Sequence, residues 1–458
     1  MALSYEVSIT LDENKLMQLA GMAAENRLTL PYLATVSIPP IDIPAWLASR
    51  PEAQKYYWSD RDGKIEIGGA GIAMKFNPEA NTSALSKIQN LSALCADDHL
   101  LFLSSRRFDP QRGLDPIWKS FEPGGVVIPD VMIGKTGDSY SFHHCLGISP
   151  DADIAAVRAR LESFLTPDRS NAETSLRACP LRPATVVSFP NRAGWRENVQ
   201  RVLQEINAGR LEKVVLARRS DYIFPNSIDA WPLFLMLRNH YSKSYAIFHQ
   251  VRSGMAFMSF TPERLYRREN RLISVDALSS TVPRGGTPDE DRQLENRLRG
   301  DDKQNREHRF VVDGVSGMLN PLCRETPRVG DMSVMKLSRV QHLWTPITGI
   351  LKEEIGDDRL LDTLHPTPAM GGTPRRAAME MIRRLESFDR GLYAAPWGFG
   401  NDAGAEYAVA IRSALVVDTA VSVFAGAGIV AGSESDQEWR ELDTKDILRP
   451  FIIEGNDS

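Results

Sequence analysis

An α+β fold, built on antiparallel sheets with helices packed against them, is what this sequence predicts, and three observations predict it. SALVVD (413–418) and VSVFAGAGIV (421–430) read as two strands joined by a tight turn, which favours antiparallel pairing. Strands and helices intermix after residue 190 without the regular βαβ rhythm of a doubly wound sheet. Before it, short strand-like runs alternate with Pro-rich and Gly-rich turns, as in YLATVSIPPIDIPAWL (32–47), KIEIGGAGIAMKF (64–76) and HLLFLSSRRF (99–108).

In ISPDADIAAVRARLESFL (148–165) apolar residues recur every three or four positions, predicting a helix with Asp151 or Asp153 as N-cap. Around 168–190 the composition shifts to Pro, Arg, Ser and Asn, the best candidate boundary. The expected organisation is an N-terminal part over 1–190 and a catalytic region over 191–458, integrated into a single large domain. The second part opens with a helix whose apolar period runs through Trp195, Val199, Val202, Leu203 and Ile206 and ends near Gly209. KVVLARRSDYIF is a β-rich strand beginning at Lys213. HRFVVDGVSGML (308–319) reads as a helix.

With 458 residues, 42% hydrophobic and 25% charged, the chain can bury a sizeable core. A net charge of −5 without a concentrated basic patch argues against nucleic acid. The arginines 375, 376, 383 and 384 are expected to form a solvated helix face. The four cysteines (95, 145, 179, 323) are scattered, as in a reducing compartment. The start MALSYEVSITLDENK is no signal peptide, and no apolar stretch reaches the roughly 18 residues of a membrane span. A cytoplasmic protein is expected, with no membrane association.

Four groups of residues could carry chemistry. Lys213 at the head of an apolar strand is either a surface lysine or a desolvated amine with a lowered pKa, able to take a proton from water. Glu263, beside a proline in FTPERLYRR (260–268), is either an ion-paired loop carboxylate or a buried acid with a raised pKa. Glu438 and Glu441, three apart on one helix face, would form an oxygen-rich Mg2+ site if another helix brings Glu307 opposite. The turns MGGTP (370–374) and FAGAGIVAGS (424–433) let backbone N–H groups approach an anion such as a carboxylate. The second is no dinucleotide fingerprint, since the acidic ribose partner and the crossover helix are missing. His143 and His144 are adjacent and no HExxH occurs, so zinc chemistry is not expected; P-loop and GxSxG motifs are absent too.

Taken in order, KVVLAR (213–218), FTPERL (260–265), DALSSTVPRG (276–285), KQNREH (303–308), VQHLWTPITGIL (340–351), LHPTPAMGGTP (364–374), RGLYAAPWGF (390–399), AVAIRSALV (408–416) and AGAGIVAGSESDQEWRELDTK (425–445) resemble the chorismate-utilising enzymes. Earlier segments, YLATVSIPPIDIPAWL, KYYWSDRDGK (55–64) and RRFDP (106–110), resemble its isochorismate branch, so the likeness spans nearly the whole chain. The resemblance implies one domain on two antiparallel sheets and an Mg2+-dependent isochorismate synthase, serving menaquinone, siderophore or salicylate formation.

By the same resemblance Lys213 activates water for attack at C2 of chorismate and Glu263 protonates the departing C4 hydroxyl. Glu307, Glu438 and Glu441 surround Mg2+, which holds the ring carboxylate. Tyr393, Arg412, the backbone at Gly426 and Lys445 bind substrate carboxylates. Thr281 lies beside the ring, and His342 and His365 lie near the pocket. Lys213 separates this branch from the anthranilate and aminodeoxychorismate synthases, which deliver ammonia and commonly work with a glutamine amidotransferase. The expectation is therefore a monomer with no obligatory amidotransferase. The alternatives are a salicylate synthase, an amine-transferring synthase component, or a degenerate binding subunit. Three positions depart from the family pattern: Ser280 where glycine is common, Gln304 where many members are acidic, and Leu442 in place of threonine.

Overall fold

The computed structural model describes residues 12–77, 84–85, 87–88, 100–121, 125–163, 181–337 and 340–452. Among these residues the strands form two large sheets, of twelve and ten strands, and every strand pair within them is antiparallel. The antiparallel α+β expectation holds. Strands from both sides of residue 190 share each sheet. In the first, Lys55–Ser59 pairs with Tyr245–Arg252; in the second, Phe102–Ser105 pairs with Pro396–Gly400. The candidate boundary at 168–190 lies mostly outside the described residues.

Local chemistry explains the elements that matter most. The helix Arg192–Asn207 is capped by the Asn191 side chain, which accepts from the Gly194 N–H, and it buries Trp195, Val199 and Val202 as the period predicts. Gly209 follows with φ of 70°, the left-handed turn that ends such a helix. The next strand, Lys213–Ile223, is flanked by Ala420–Ile429 on one edge and by the short strands Gly372–Thr373 and Thr185–Phe189 on the other. Gly372 is required there: a Cβ would stand 2.1 Å from the Lys213 carbonyl oxygen, and its φ is 137°.

The arginine-rich helix Arg375–Leu385 shows the expected solvated face at Arg375, Arg376 and Arg384, while Arg383 is half-buried. Arg375 donates to the carbonyls of Asp362 and Thr363, and Arg383 forms a bidentate pair with Asp109; Arg376 and Arg384 stay exposed. Arg375 and Arg383 thus tie the helix to its neighbours. Cys145 and Cys323 are both buried. Cys95 and Cys179 lie outside the described residues.

One buried ion pair fastens the Lys213 strand. Arg390 reaches Glu386 at 2.5 Å, both nearly inaccessible to water. Arg390 also donates to the Val215 carbonyl at 2.8 Å, while Glu386 accepts the Ala217 N–H at 2.8 Å. Removing Arg390 leaves the Glu386 charge buried without its partner and takes a donor from the Val215 carbonyl. Arg390→Ala is expected to cost about 3–5 kcal/mol, read as a lowered urea midpoint; an unchanged midpoint would show that the pair is dispensable.

Candidate active site

The two sheets are joined by short chain crossings, and two of these deliver functional side chains to one place. Glu263 sits between Met255–Thr261 of the first sheet and Arg264–Glu269 of the second. Arg412 sits between Gly404–Val409 of the second and Ser413–Val417 of the first. The crossings brace each other: the Val409 N–H donates to the Glu263 carbonyl and the Phe260 N–H to the Arg412 carbonyl, each at 3.0 Å. Arg412 adopts φ of 52°, a left-handed bend that lets the chain change sheets.

Lys213 comes from the head of its strand, 50 positions before Glu263 (263 − 213). Burial holds its amine below a lysine's ordinary value, and the Lys445 ammonium adds to this; Glu263, Glu307 and Glu441 pull the other way. Burial likewise pushes the Glu263 carboxyl up to about 7, with Asp276 adding and Lys213 and Lys445 opposing. Both groups are therefore held toward their neutral forms, an amine that accepts a proton and an acid that gives one. Gly428 leaves room for the lysine: a Cβ there would lie 2.9 Å from Lys213 Cε.

Around this pair the structure gathers most of the residues the sequence nominated. Lys445, at the end of the helix Ser435–Lys445, bonds the Gly426 carbonyl at 2.8 Å and pairs with Glu441 at 2.6 Å. Tyr393 is buried, and a Cβ on Gly426 would stand 2.7 Å from its Oη. Burial raises the phenol to about 12, with Arg390, Arg412, Glu386 and Glu263 acting on it. Burial lowers Arg412, whose neighbours include Tyr393 and Glu441. Thr281 stands opposite His342 in the pairing of Leu272–Pro283 with Val340–Ile350. Burial, with Arg412 and Lys445 adding, lowers His342 to about 4, a neutral imidazole. His365 is buried and held near 3 by burial and the arginines 375, 390 and 106.

The carboxylates suit a hard cation in chemistry. Glu307 and Glu441, on separate helices, both act on Lys213. Burial raises Glu438 and so does nearby Glu441, a penalty that a cation between them would relieve. Among the described residues no three His, Cys, Asp or Glu side chains are drawn into a ligating group, and Glu441 is held by Lys445 instead.

Sequence reasoning missed His308. Its Nδ1 meets Ser279 Oγ at 2.7 Å and its Nε2 meets Thr345 Oγ1 at 2.8 Å, pinning the helix Asp302–Leu319, and so Glu307, to two strands. Its place beside Glu307 was the available signal. The Arg390–Glu386 pair was also missed, although its i,i+4 spacing in ESFDR is visible.

The family model described as chorismate binding enzyme matches residues 18–451. The isochorismate synthase MenF of Haemophilus influenzae is 34% identical, over 90% of this chain and 89% of its own. The chloroplastic isochorismate synthase of Catharanthus roseus is 32% identical, over 84% of this chain and 68% of its own. The solved structure of the menaquinone-specific isochorismate synthase MenF from Escherichia coli superposes with a TM-score of 0.81 at 27% identity, covering 96% of this chain and all of that one. Anthranilate synthase component I from Streptococcus pneumoniae, at 19% identity and a TM-score of 0.69, shares the fold.

The raised Glu263 predicts a pH-dependent stability. Its folded value of about 7 lies above the unfolded value of about 4.3. The cost of ionising it is therefore absent in acid and grows as pH rises through this interval. Glu263→Gln should stabilise the fold by roughly 1–3 kcal/mol at pH 8, allowing for partial solvent access, and by little at pH 4. Equal thermal midpoints for both proteins at pH 8 would refute the buried acid.

Proposed function

The chain belongs to the chorismate-binding enzymes, and from that premise we propose that it is an isochorismate synthase, using water as nucleophile at C2 of chorismate with loss of the C4 hydroxyl. The observation that carries this reading is the meeting of Lys213 and Glu263, each pushed by burial toward its neutral form. Neutral Lys213 takes a proton from water as its oxygen bonds to C2. The ring double bonds shift, and Glu263 gives its proton to the C4 oxygen, which leaves as water. The atoms balance as an isomerisation, and proton exchange with solvent restores both residues. A base at 213 is the chemistry that water needs and that ammonia does not.

Arg412 offers a planar fork for a carboxylate, Tyr393 a hydroxyl, and Lys445 an ammonium already seated on the Gly426 carbonyl. Thr281 and His342 flank the ring; the neutral imidazole orients without adding charge. Glu307, Glu438 and Glu441 would hold the metal; carboxylate donors suit a hard divalent cation, and the family resemblance makes Mg2+ our assignment. When bound, it neutralises substrate charge and anchors a carboxylate. We further propose a monomer acting without an amidotransferase. No helix among the described residues is long and apolar enough to cross a membrane.

Incubation with chorismate and Mg2+, with and without EDTA, tests this directly by chromatography. Isochorismate without pyruvate is expected, lost on chelation; salicylate with pyruvate would instead mark a salicylate synthase. Lys213→Ala should lower kcat about 10²–10⁴-fold with circular dichroism unchanged, and wild-type turnover would remove the assigned base. Lys445→Met deletes a positive charge that depresses both Lys213 and Glu263, so both values rise. The whole bell-shaped profile of kcat/KM should move to higher pH; a profile that stays in place contradicts the electrostatic coupling.

A further inference from the structure

Arg61, Asp276 and Trp344 stand in segments that resemble the family, yet the proposed chemistry assigns them no part. The structure brings all three to the crossing that carries Glu263. Arg61 follows Lys55–Ser59 of the first sheet, in a hairpin turn that Asp60 closes by accepting the Ile65 N–H at 3.1 Å. Its guanidinium reaches the second sheet, donating to the Pro262 carbonyl at 3.2 Å and to Asp276 Oδ2 at 2.8 Å. Asp276 Oδ1 accepts from Arg264 at 2.7 Å and from the Trp344 indole at 2.9 Å. The Asp276 side chain is inaccessible to water, and both arginine side chains are largely covered. A buried carboxylate with both oxygens filled this way resists rearrangement, because losing a donor leaves its charge uncompensated. One carboxylate thus holds both flanks of the acid: Pro262 through Arg61, and Arg264 directly. The Glu263 backbone is used as well, its N–H on Thr261 Oγ1 at 3.1 Å and its carbonyl on the Val409 N–H at 3.0 Å.

We infer that Arg61 and Asp276 are positioning residues for Glu263, a clamp that aims the acid at the departing C4 oxygen. Their effect on turnover rests on the reading of Glu263 as proton donor; the clamp itself does not. The clamp also carries charge. Around the Glu263 carboxyl stand Lys213 and Lys445, which favour its ionised form, Asp276, which opposes it, and the Tyr393 phenol. Arg61 and Arg264 offset the Asp276 charge. Removing Arg61 therefore leaves Glu263 under more of that charge, and neutralising Asp276 relieves it. Lys213 answers to Lys445, Glu263, Glu307 and Glu441 instead, so the clamp acts on the acid and not on the base.

The test compares the full chain with Arg61→Met, Arg61→Lys and Asp276→Asn. Infrared titration of the protonated carboxyl band, identified by its loss in Glu263→Gln, follows the acid without turnover. The band should titrate at higher pH in Arg61→Met and at lower pH in Asp276→Asn. In turnover, Arg61→Met should lower kcat about 10–100-fold with KM for chorismate nearly unchanged. Arg61→Lys keeps the charge without the two-armed fork, so it should restore the wild-type titration and only part of kcat. Movement of the band in the same direction in Arg61→Met and Asp276→Asn, or in neither, would reduce the cluster to scaffold and overturn the inference. Should Asp276→Asn fail to fold, the two Arg61 variants decide: titration and kcat equal to wild type in both would overturn it. Wild-type turnover in Glu263→Gln would fail the proton-donor reading alone, and the titration would still decide the clamp.

Discussion

The buried Arg390–Glu386 pair is the contact that holds the Lys213 strand in place. A guanidinium and a carboxylate out of water are stable only when paired and when their remaining donors and acceptors are used. Here backbone groups of the Lys213 strand take up that remainder, through the Val215 carbonyl and the Ala217 N–H. The Met370 carbonyl accepts a further guanidinium N–H at 3.1 Å, and Phe108 lies under the guanidinium at 4.2 Å. The pair therefore fixes the strand two residues from Lys213, together with the Gly371–Thr373 turn on its edge. An amine that must stay desolvated and aimed needs such an anchor, because a flexible four-carbon stem loses orientation with any freedom in its backbone.

The second constraint is topological. Two crossings between the sheets place Glu263 and Arg412 side by side, and neither is free to move without breaking the backbone bonds that brace them. Putting the acid on a crossing and the base on a strand end lets burial act on both from opposite directions. Desolvation lowers a lysine and raises a glutamate, so one physical effect holds both groups toward their neutral forms together. Their mutual attraction works against this, which explains why Glu263 stops near 7 while burial alone would carry it higher.

The elements themselves were legible because local signals agreed with the fold. The Trp195–Ile206 period, the Asn191 cap and Gly209 mark a helix, and the turn between Val417 and Ala420 marks a hairpin. What periodicity does not carry is partner choice. Lys55–Ser59 lies beside Tyr245–Arg252 because distant apolar faces match, and no local pattern encodes that pairing. The site was legible for a different reason: the motifs preserve residue types whose chemistry is explicit, such as Lys213 and Glu263. Supporting residues escaped because their work is visible only in three dimensions. His308 reads as a helix residue until Ser279 and Thr345 are seen on either side of it.

The three departures from the family pattern also become physical rather than statistical. Ser280 has φ of 54°, a conformation that glycine adopts freely and that costs another residue roughly 1–2 kcal/mol. It lies at the bulge between Ser279 and Thr281, and its hydroxyl donates a long 3.5 Å bond to the Gln304 carbonyl. The strain is thus partly offset by a tie to the helix that carries Glu307. Gln304 supplies that acceptor from its backbone, so the tie is indifferent to the charge of its side chain. Leu442 is fully buried within the core cluster that contains Trp195, Val199 and Tyr393, where a threonine hydroxyl would need a partner. Ser280 and Leu442 thus act on the scaffold, and none of the three positions is one of the lysine, glutamates and arginine proposed to meet the substrate.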